Sequence, residues 1–85
     1  MMELGRVLGP APSNVKHPAL EGLKLVLVRA ERPGAPVAVA WDRVDAGRGD
    51  IVLVMTEGGS ATRLLGRGPA PVRTVLVGHV EQVDR

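Results

Sequence analysis

Apolar and polar residues alternate along most of this chain, and a two-residue period is typical of β-strands. The alternating stretches end at glycine, proline or charged turns, as short strands usually do. One short helix is predicted over residues 61–65, where the Ser60 hydroxyl can cap the first backbone N–H groups. The pattern therefore predicts an all-β fold, a small barrel or closed sandwich with one short helix. Its five strands are predicted over residues 4–9, 22–30, 37–41, 51–56 and 72–83.

The second predicted strand indicates how the barrel is covered. Leu23, Leu25 and Leu27 share one face of this strand, because side chains alternate between the two faces. The opposite face starts at Lys24 and continues with valine and alanine. We expect the three leucines to fill the barrel. Both faces are apolar beyond Lys24, which predicts that the outer face is covered as well, by a neighbouring subunit.

The length of the chain predicts a single domain over residues 1–85. A domain of this size buries only roughly 60–65% of the surface of its unfolded chain, and it often gains stability from disulfides, metals or oligomerisation. The sequence has no cysteine, and its two histidines, His17 and His79, lack the spacing of a zinc site. Oligomerisation is therefore the expected source of extra stability, and no metal or other cofactor is expected.

The charged residues are scattered rather than clustered. The formal net charge is +2 and the isoelectric point is about 9.9. The basic residues never form a run and lie among acidic ones, which is typical of a solvated surface. No apolar run has the length of a membrane span, and residues 1–6 lack the apolar core of a signal peptide. We therefore expect a cytoplasmic protein with no membrane contact.

The sequence contains no recognisable catalytic motif. Gly58, Gly59 and Ser60 lie at a predicted turn from strand to helix, where a nucleophilic serine would lie. Thr62, however, stands where the G-x-S-x-G motif needs its second glycine. Residues 47–50, GRGD, match neither of the glycine-rich phosphate-binding patterns. The sequence thus favours a protein without catalytic activity.

Two other functions stay open on the residues alone. A nucleic-acid-binding barrel would agree with a small barrel of basic isoelectric point. Against it, Trp41 is the only aromatic residue, whereas single-stranded nucleic acids usually stack on aromatic side chains. A small enzyme or ligand-binding domain would rest on the turn at Ser60 alone.

Four segments carry a further pattern. Residues 16–28, KHPALEGLKLVLV, are similar to a K-x-P-x-L-x-G-x-K/R-L-L-L-V segment. Residues 44–54 are similar to D-x-x-G-A-G-x-G-[DE]-x-V-L, residues 59–63 to G-S-S-A-R, and residues 71–80 to P-V-D-A-x-I-V-G-I-V-D. These segments occur in the same order in the EutN/CcmL family, which the chain therefore resembles across nearly its whole length. Arg73 and Glu81 depart from the pattern, since the family has Asp at both positions.

The resemblance implies a structural role and a shell assembly. The family has a five-stranded barrel similar to the oligonucleotide-binding fold. Its members form homopentamers that cap the vertices of bacterial microcompartments, beside hexameric and pseudohexameric shell proteins. By this likeness, Gly58, Gly59 and Ser60 are expected near the axis of the ring, although glycines at that position would equally serve a plain turn. The residues expected to form contacts in the assembly are Lys16, His17, Pro18 and Glu21.

Overall fold

The computed structural model describes residues 2–12, 21–56 and 73–80, and these form a closed five-stranded barrel. The strands follow one another around the barrel in the order β1-β2-β3-β5-β4, and β4 pairs with β1 to close it. Only β3 and β5 are parallel among these neighbours. The prediction of a small all-β barrel is confirmed, while the helix predicted over residues 61–65 lies outside the described residues. The strands are β1 (Met2–Pro10), β2 (Leu25–Ala30), β3 (Val37–Asp42), β4 (Ile51–Thr56) and β5 (Thr74–His79).

The strand bounds differ from the predicted ones mainly at the start of β2. Residues 21 and 22 form a turn instead of a strand, and Gly22 has a φ of +84°, a conformation outside the β region. Strand β2 therefore begins at Leu25. Strand β5 ends at His79, and Val80 is no longer in a strand. Within the described residues, no helix has the length and hydrophobicity needed to cross a membrane.

The barrel interior is filled by small, mostly β-branched side chains. The prediction that Leu23, Leu25 and Leu27 fill it is wrong, since Val26 and Val28 point inward instead. Val28 lies opposite Val7 of β1, and this register fixes which face of β2 is inside. A barrel of only five strands is narrow, so valine and alanine fit its centre better than leucine. The core cluster consists of Val7, Val26, Val28, Ala40, Ala46, Val52, Val54 and Leu76.

Gly5 lets the barrel wall close tightly. A Cβ atom at this position would lie 2.9 Å from Cγ2 of Val54 and 3.2 Å from the carbonyl oxygen of Arg29. The first distance is shorter than carbon atoms tolerate without movement of a neighbour. Glycine is therefore required at this point of β1 by packing, because any side chain would push into the core.

The two ends of the barrel carry different connections. One end, the Asp42 end, holds the last residues of β1, β3 and β5 and the first residues of β2 and β4. The opposite end, the Thr56 end, holds the remaining strand termini. The described residues on either side of residues 13–20 lie at the Asp42 end. Those on either side of residues 57–72 lie at the Thr56 end. The described residues nearest to the predicted contact residues 16–18 and those nearest to the predicted axial residues 58–60 therefore lie at opposite ends of the barrel.

Candidate functional site: the outer faces of the barrel

One apolar surface lies on the outer side of β1 and β4. In the register of these antiparallel strands, Met2 is opposite Met55 and Leu4 is opposite Leu53, so all four side chains share the outer face. Met2 is 50% exposed and Leu4 is 46% exposed. We call these four residues the β1–β4 face. The exposed cation Arg6, two residues beyond Leu4 on the same side of β1 and opposite Ile51, borders this face.

A second apolar surface lies on the outer side of β2 and β3. Leu25 is opposite Trp41 and Leu27 is opposite Val39. Val37, at the start of β3, is 43% exposed. We call these five residues the β2–β3 face. The guanidinium of Arg43 lies over the Trp41 ring, 5.4 Å from its centroid, so a cation borders this face.

A charged seam along β1 and β2 separates the two faces. Arg6 and Glu31 form an ion pair of 2.9 Å, and Arg6 also donates to the carbonyl oxygen of Gly49. At the Thr56 end, Arg32 pairs with Glu3 at 3.0 Å. These pairs are largely exposed, and each contributes little to stability. The seam separates the two faces on this side of the barrel only, because Met55 of β4 and Trp41 of β3 are both register partners of the apolar residue Val75 of β5.

Asp42 organises the polar connection at its own end of the barrel. Its side chain is completely buried, and its two carboxylate oxygens accept hydrogen bonds from the backbone N–H groups of Val44 and Ala46, at 2.9 and 2.8 Å. Lys24 lies 3.1 Å from the same carboxylate and donates to Asp45 at 2.8 Å. A buried carboxylate is tolerated when its lone pairs are satisfied in this way. The contacts hold the residues after β3 against the barrel.

Lys24 and Asp45 also shift each other's protonation. The hydrogen bond from Lys24 lowers the pKa of the Asp45 carboxyl group. The hydrogen bonds to Asp45 and Asp42 raise the pKa of Lys24. Both shifts favour the charged forms, so Lys24 and Asp45 form an ion pair.

His79 does not form a catalytic pair with its nearest carboxylate. Its Nε2 atom lies 2.9 Å from the carbonyl oxygen of Val44, and because a carbonyl only accepts, Nε2 carries a hydrogen and donates. Its Nδ1 atom is 3.9 Å from Asp50, which is too long for a hydrogen bond. The Asp50 carboxylate instead accepts from the backbone N–H of Gly47 at 2.8 Å. Both side chains therefore hold the connection between β3 and β4.

Glu21 is the one predicted contact residue that the structure describes, and it is exposed in a turn before β2. Lys16, His17, Pro18, Gly58, Gly59 and Ser60 lie outside the described residues. Within the described ranges, no group of three or more histidine, aspartate or glutamate side chains is suited to hold a metal ion.

The two outer faces were only partly visible in the sequence. Apolar residues on both sides of the second predicted strand predicted that the outside would be covered. The pairing of β1 with β4 had no local signal, since these strands are far apart in the chain.

Strand order and closure define the class of this protein. A closed five-stranded barrel with β1 paired to β4 and β3 parallel to β5 has the architecture of the oligonucleotide-binding fold. The outer faces of this barrel are apolar, and Trp41 is the only aromatic residue of the chain. Such a surface is more typical of a subunit in an assembly than of a nucleic-acid-binding module, which stacks bases on several aromatic rings.

Residues 2–81 match the family described as ethanolamine utilisation protein EutN/carboxysome. The chain belongs to this EutN/CcmL family, as its four sequence segments predicted.

Curated relatives of the chain are shell vertex proteins. The microcompartment shell vertex protein PduN of Salmonella typhimurium is 43% identical, with 98% of this chain and 99% of the relative covered. The carboxysome shell vertex protein CcmL of a Synechocystis strain is 38% identical, with 98% and 86% covered. These relatives are structural components of shells.

Solved structures agree with this family assignment. The GrpN pentameric microcompartment shell protein of Rhodospirillum rubrum superimposes with a TM-score of 0.73 at 32% identity, covering 98% of each chain. CcmL of Gloeobacter violaceus superimposes with a TM-score of 0.75 at 30% identity, covering 98% of this chain and 89% of the other. The likeness therefore extends over the whole barrel.

Proposed function

We propose that this protein is a structural shell component that forms homopentamers and caps the vertices of a bacterial microcompartment. The observation that carries the proposal is the end-to-end likeness to GrpN, a pentameric microcompartment shell protein, with 98% of both chains covered. The vertex proteins among its relatives support the same role.

A vertex role has a geometrical reason. Hexagonal units tile a flat layer, and a closed shell needs pentagons where the layer bends. A five-membered ring is closed by contacts between unlike surfaces, so each subunit needs two different interfaces. The β1–β4 face and the β2–β3 face are apolar regions on different strands of one subunit.

The finer parts of the proposal concern partners and place. The pentamer fits among hexameric and pseudohexameric shell proteins in the cytoplasm and acts without catalysis or a cofactor. Gly58, Gly59 and Ser60 are proposed to lie near the axis of the ring. The contacts of the assembly are proposed to include Lys16, His17, Pro18 and Glu21, of which Glu21 is exposed as a contact residue must be.

Shell closure tests this function. The protein would be produced together with a hexameric shell protein from the same organism, and the particles would be viewed by electron microscopy. Closed polyhedral particles are expected with the protein present, and open sheets or tubes without it. Closed particles of the same shape in its absence would contradict the vertex role.

Nucleic-acid binding is not favoured by any of the relatives, and the described surface offers little for it. Trp41 is the only aromatic residue in the chain, and its ring is partly covered by Arg43. Stacking of successive bases needs several such rings.

A further inference from the structure

We infer that Nδ1 of His79 and the carboxylate of Asp50 are the two protein ligands of a site for a divalent transition-metal ion such as Zn²⁺, with water in its remaining positions. The site lies at the Asp42 end of the barrel, between the last residue of β5 and the residue before β4. It has fewer protein ligands than the groups of three or more, which the described residues do not form. The inference does not depend on the proposed pentamer, because both ligands belong to one subunit.

The first argument is the orientation of His79. Its Nε2–H group donates to the carbonyl oxygen of Val44 at 2.9 Å, so Nδ1 of the neutral ring carries a lone pair. Histidines that bind metals usually donate their other ring N–H to a backbone carbonyl or a carboxylate in this way, which fixes the tautomer. Oδ2 of Asp50 lies 3.9 Å from Nδ1. Two acceptor atoms thus lie close together, an arrangement that a cation between them stabilises.

The second argument is the distance between these two atoms. Zinc lies about 2.0–2.2 Å from nitrogen and carboxylate oxygen ligands, so tetrahedral coordination places the two atoms about 3.4 Å apart. The observed distance of 3.9 Å is slightly longer, and both side chains are 43% exposed, so a small movement brings them into range without disturbing the core. The backbone N–H of Gly47 occupies one lone-pair site of the Asp50 carboxylate and leaves the others for a metal.

The third argument is the space and the charge beside the pair. A cleft of about 190 Å³ is lined by both side chains together with Arg6 and Gly49. Since a water molecule takes up about 30 Å³ of the liquid, the cleft has room for an ion and its water ligands. The charge of Arg6 is compensated by Glu31 at 2.9 Å. Within the described ranges, no lysine or arginine forms an ion pair with Asp50, so its negative charge is available to a metal.

His79 distinguishes this chain from the family pattern. The segment P-V-D-A-x-I-V-G-I-V-D has isoleucine at the position that His79 occupies here. Asp50 and His79 are also far apart in the chain and meet only through the pairing of β4 with β5, in which Val52 is opposite His79. The site is therefore expected in this chain and not in relatives that carry the isoleucine.

Titration of the intact protein with zinc chloride, measured by calorimetry at neutral pH, tests the site. We expect one Zn²⁺ per subunit with a Kd below about 1 mM. His79→Gln and Asp50→Asn should each weaken binding at least about tenfold, because each removes one of two protein ligands. Glutamine can still donate a hydrogen bond and asparagine can still accept one, so both variants are expected to fold, which circular dichroism would check. His17→Gln, which replaces the only other histidine, is the control and should leave the affinity unchanged.

Magnesium chloride separates binding through nitrogen from a general attraction of cations to carboxylates. Mg²⁺ prefers oxygen ligands, so it should not bind this site at the concentrations at which Zn²⁺ does. Zinc should also raise the melting temperature of the wild type and not that of His79→Gln, because an ion that binds only the folded subunit stabilises it.

Four results would overturn the inference. They are a wild type without saturable zinc binding below about 1 mM, an affinity that is unchanged in His79→Gln or Asp50→Asn, a loss of binding in His17→Gln, and equal binding of Mg²⁺. All of them leave the proposed pentamer intact, since the mass of the assembly is measured separately.

Discussion

The close packing around Gly5 predicts how far an alanine at this position would lower the free energy of unfolding. Gly5→Ala introduces a Cβ atom 2.9 Å from the Val54 side chain and 3.2 Å from both Val28 and the Arg29 carbonyl oxygen. The buried valines have little room to move, because they fill the narrow barrel interior. Overpacking of this kind costs about 1–3 kcal/mol.

Part of that cost is offset in the unfolded chain. Replacing glycine by alanine restricts the unfolded state and stabilises the native state by about 0.4–1 kcal/mol. The net loss for Gly5→Ala is therefore about 1.3 kcal/mol from the central values, and at most about 2.6 kcal/mol. Gly78→Ala is the matched control, because a Cβ atom there would lie 3.8 Å from its nearest neighbour, an ordinary contact with Leu53. Gly78→Ala is expected to leave the stability unchanged or to raise it by less than about 1 kcal/mol.

Urea unfolding followed by the fluorescence of Trp41, the only tryptophan, measures both variants. With a denaturant slope of about 1 kcal/mol per molar for a small domain, the midpoint of Gly5→Ala should fall by about 1.3 M. All samples must have the same subunit concentration, because assembly contributes to apparent stability. Equal midpoints for Gly5→Ala and Gly78→Ala would refute the close packing of Gly5 in β1 against Val54 in β4.

Three further predictions concern the charged groups. Asp42→Asn should lower the free energy of unfolding by about 2–4 kcal/mol, because a buried carboxylate that accepts several hydrogen bonds is lost. Asp45→Asn, which removes the exposed partner of the same Lys24, should have a much smaller effect in the same urea assay; equal effects would contradict the role of Asp42. Since Lys24 lowers the pKa of Asp45, ionised Asp45 stabilises the folded state above about pH 4, and that stabilisation is lost as the pH falls through its folded pKa. The difference in urea midpoint between wild type and Asp45→Asn should therefore vanish in acid. A difference that grows in acid would contradict a lowered pKa of Asp45 in the folded state. Removing the exposed Arg6–Glu31 pair with Arg6→Met should change stability by less than about 1 kcal/mol, and a larger loss in calorimetry would mean that the pair is structurally important.

The sequence predicted the strands well because the residues that determine a strand lie close together in the chain. Alternation and turn residues lie within a few positions of each other, and they located all five strands. They could not decide which face of β2 is inside, since both faces are apolar. That choice depends on the register between Val28 and Val7 and on the width of a five-stranded barrel, neither of which is a property of β2 alone.

The candidate site was less predictable for the same reason. The β1–β4 face exists only because Leu4 is paired with Leu53, and Asp42 meets Lys24 only once β2 and β3 are side by side. Such contacts form between residues that are distant in sequence. The functional prediction came from the four family segments, because they identify the family directly. They do not describe the geometry of the fold or of the assembly.

The mass of the native assembly tests the central proposal most directly. At micromolar subunit concentration and physiological salt, native mass spectrometry should show one dominant species of about 45 kDa, five times the 8.9 kDa subunit. Light scattering on the same sample should give the same mass in solution. A stable monomer, dimer or hexamer as the dominant species would contradict the proposal that this protein is a pentameric vertex of a shell.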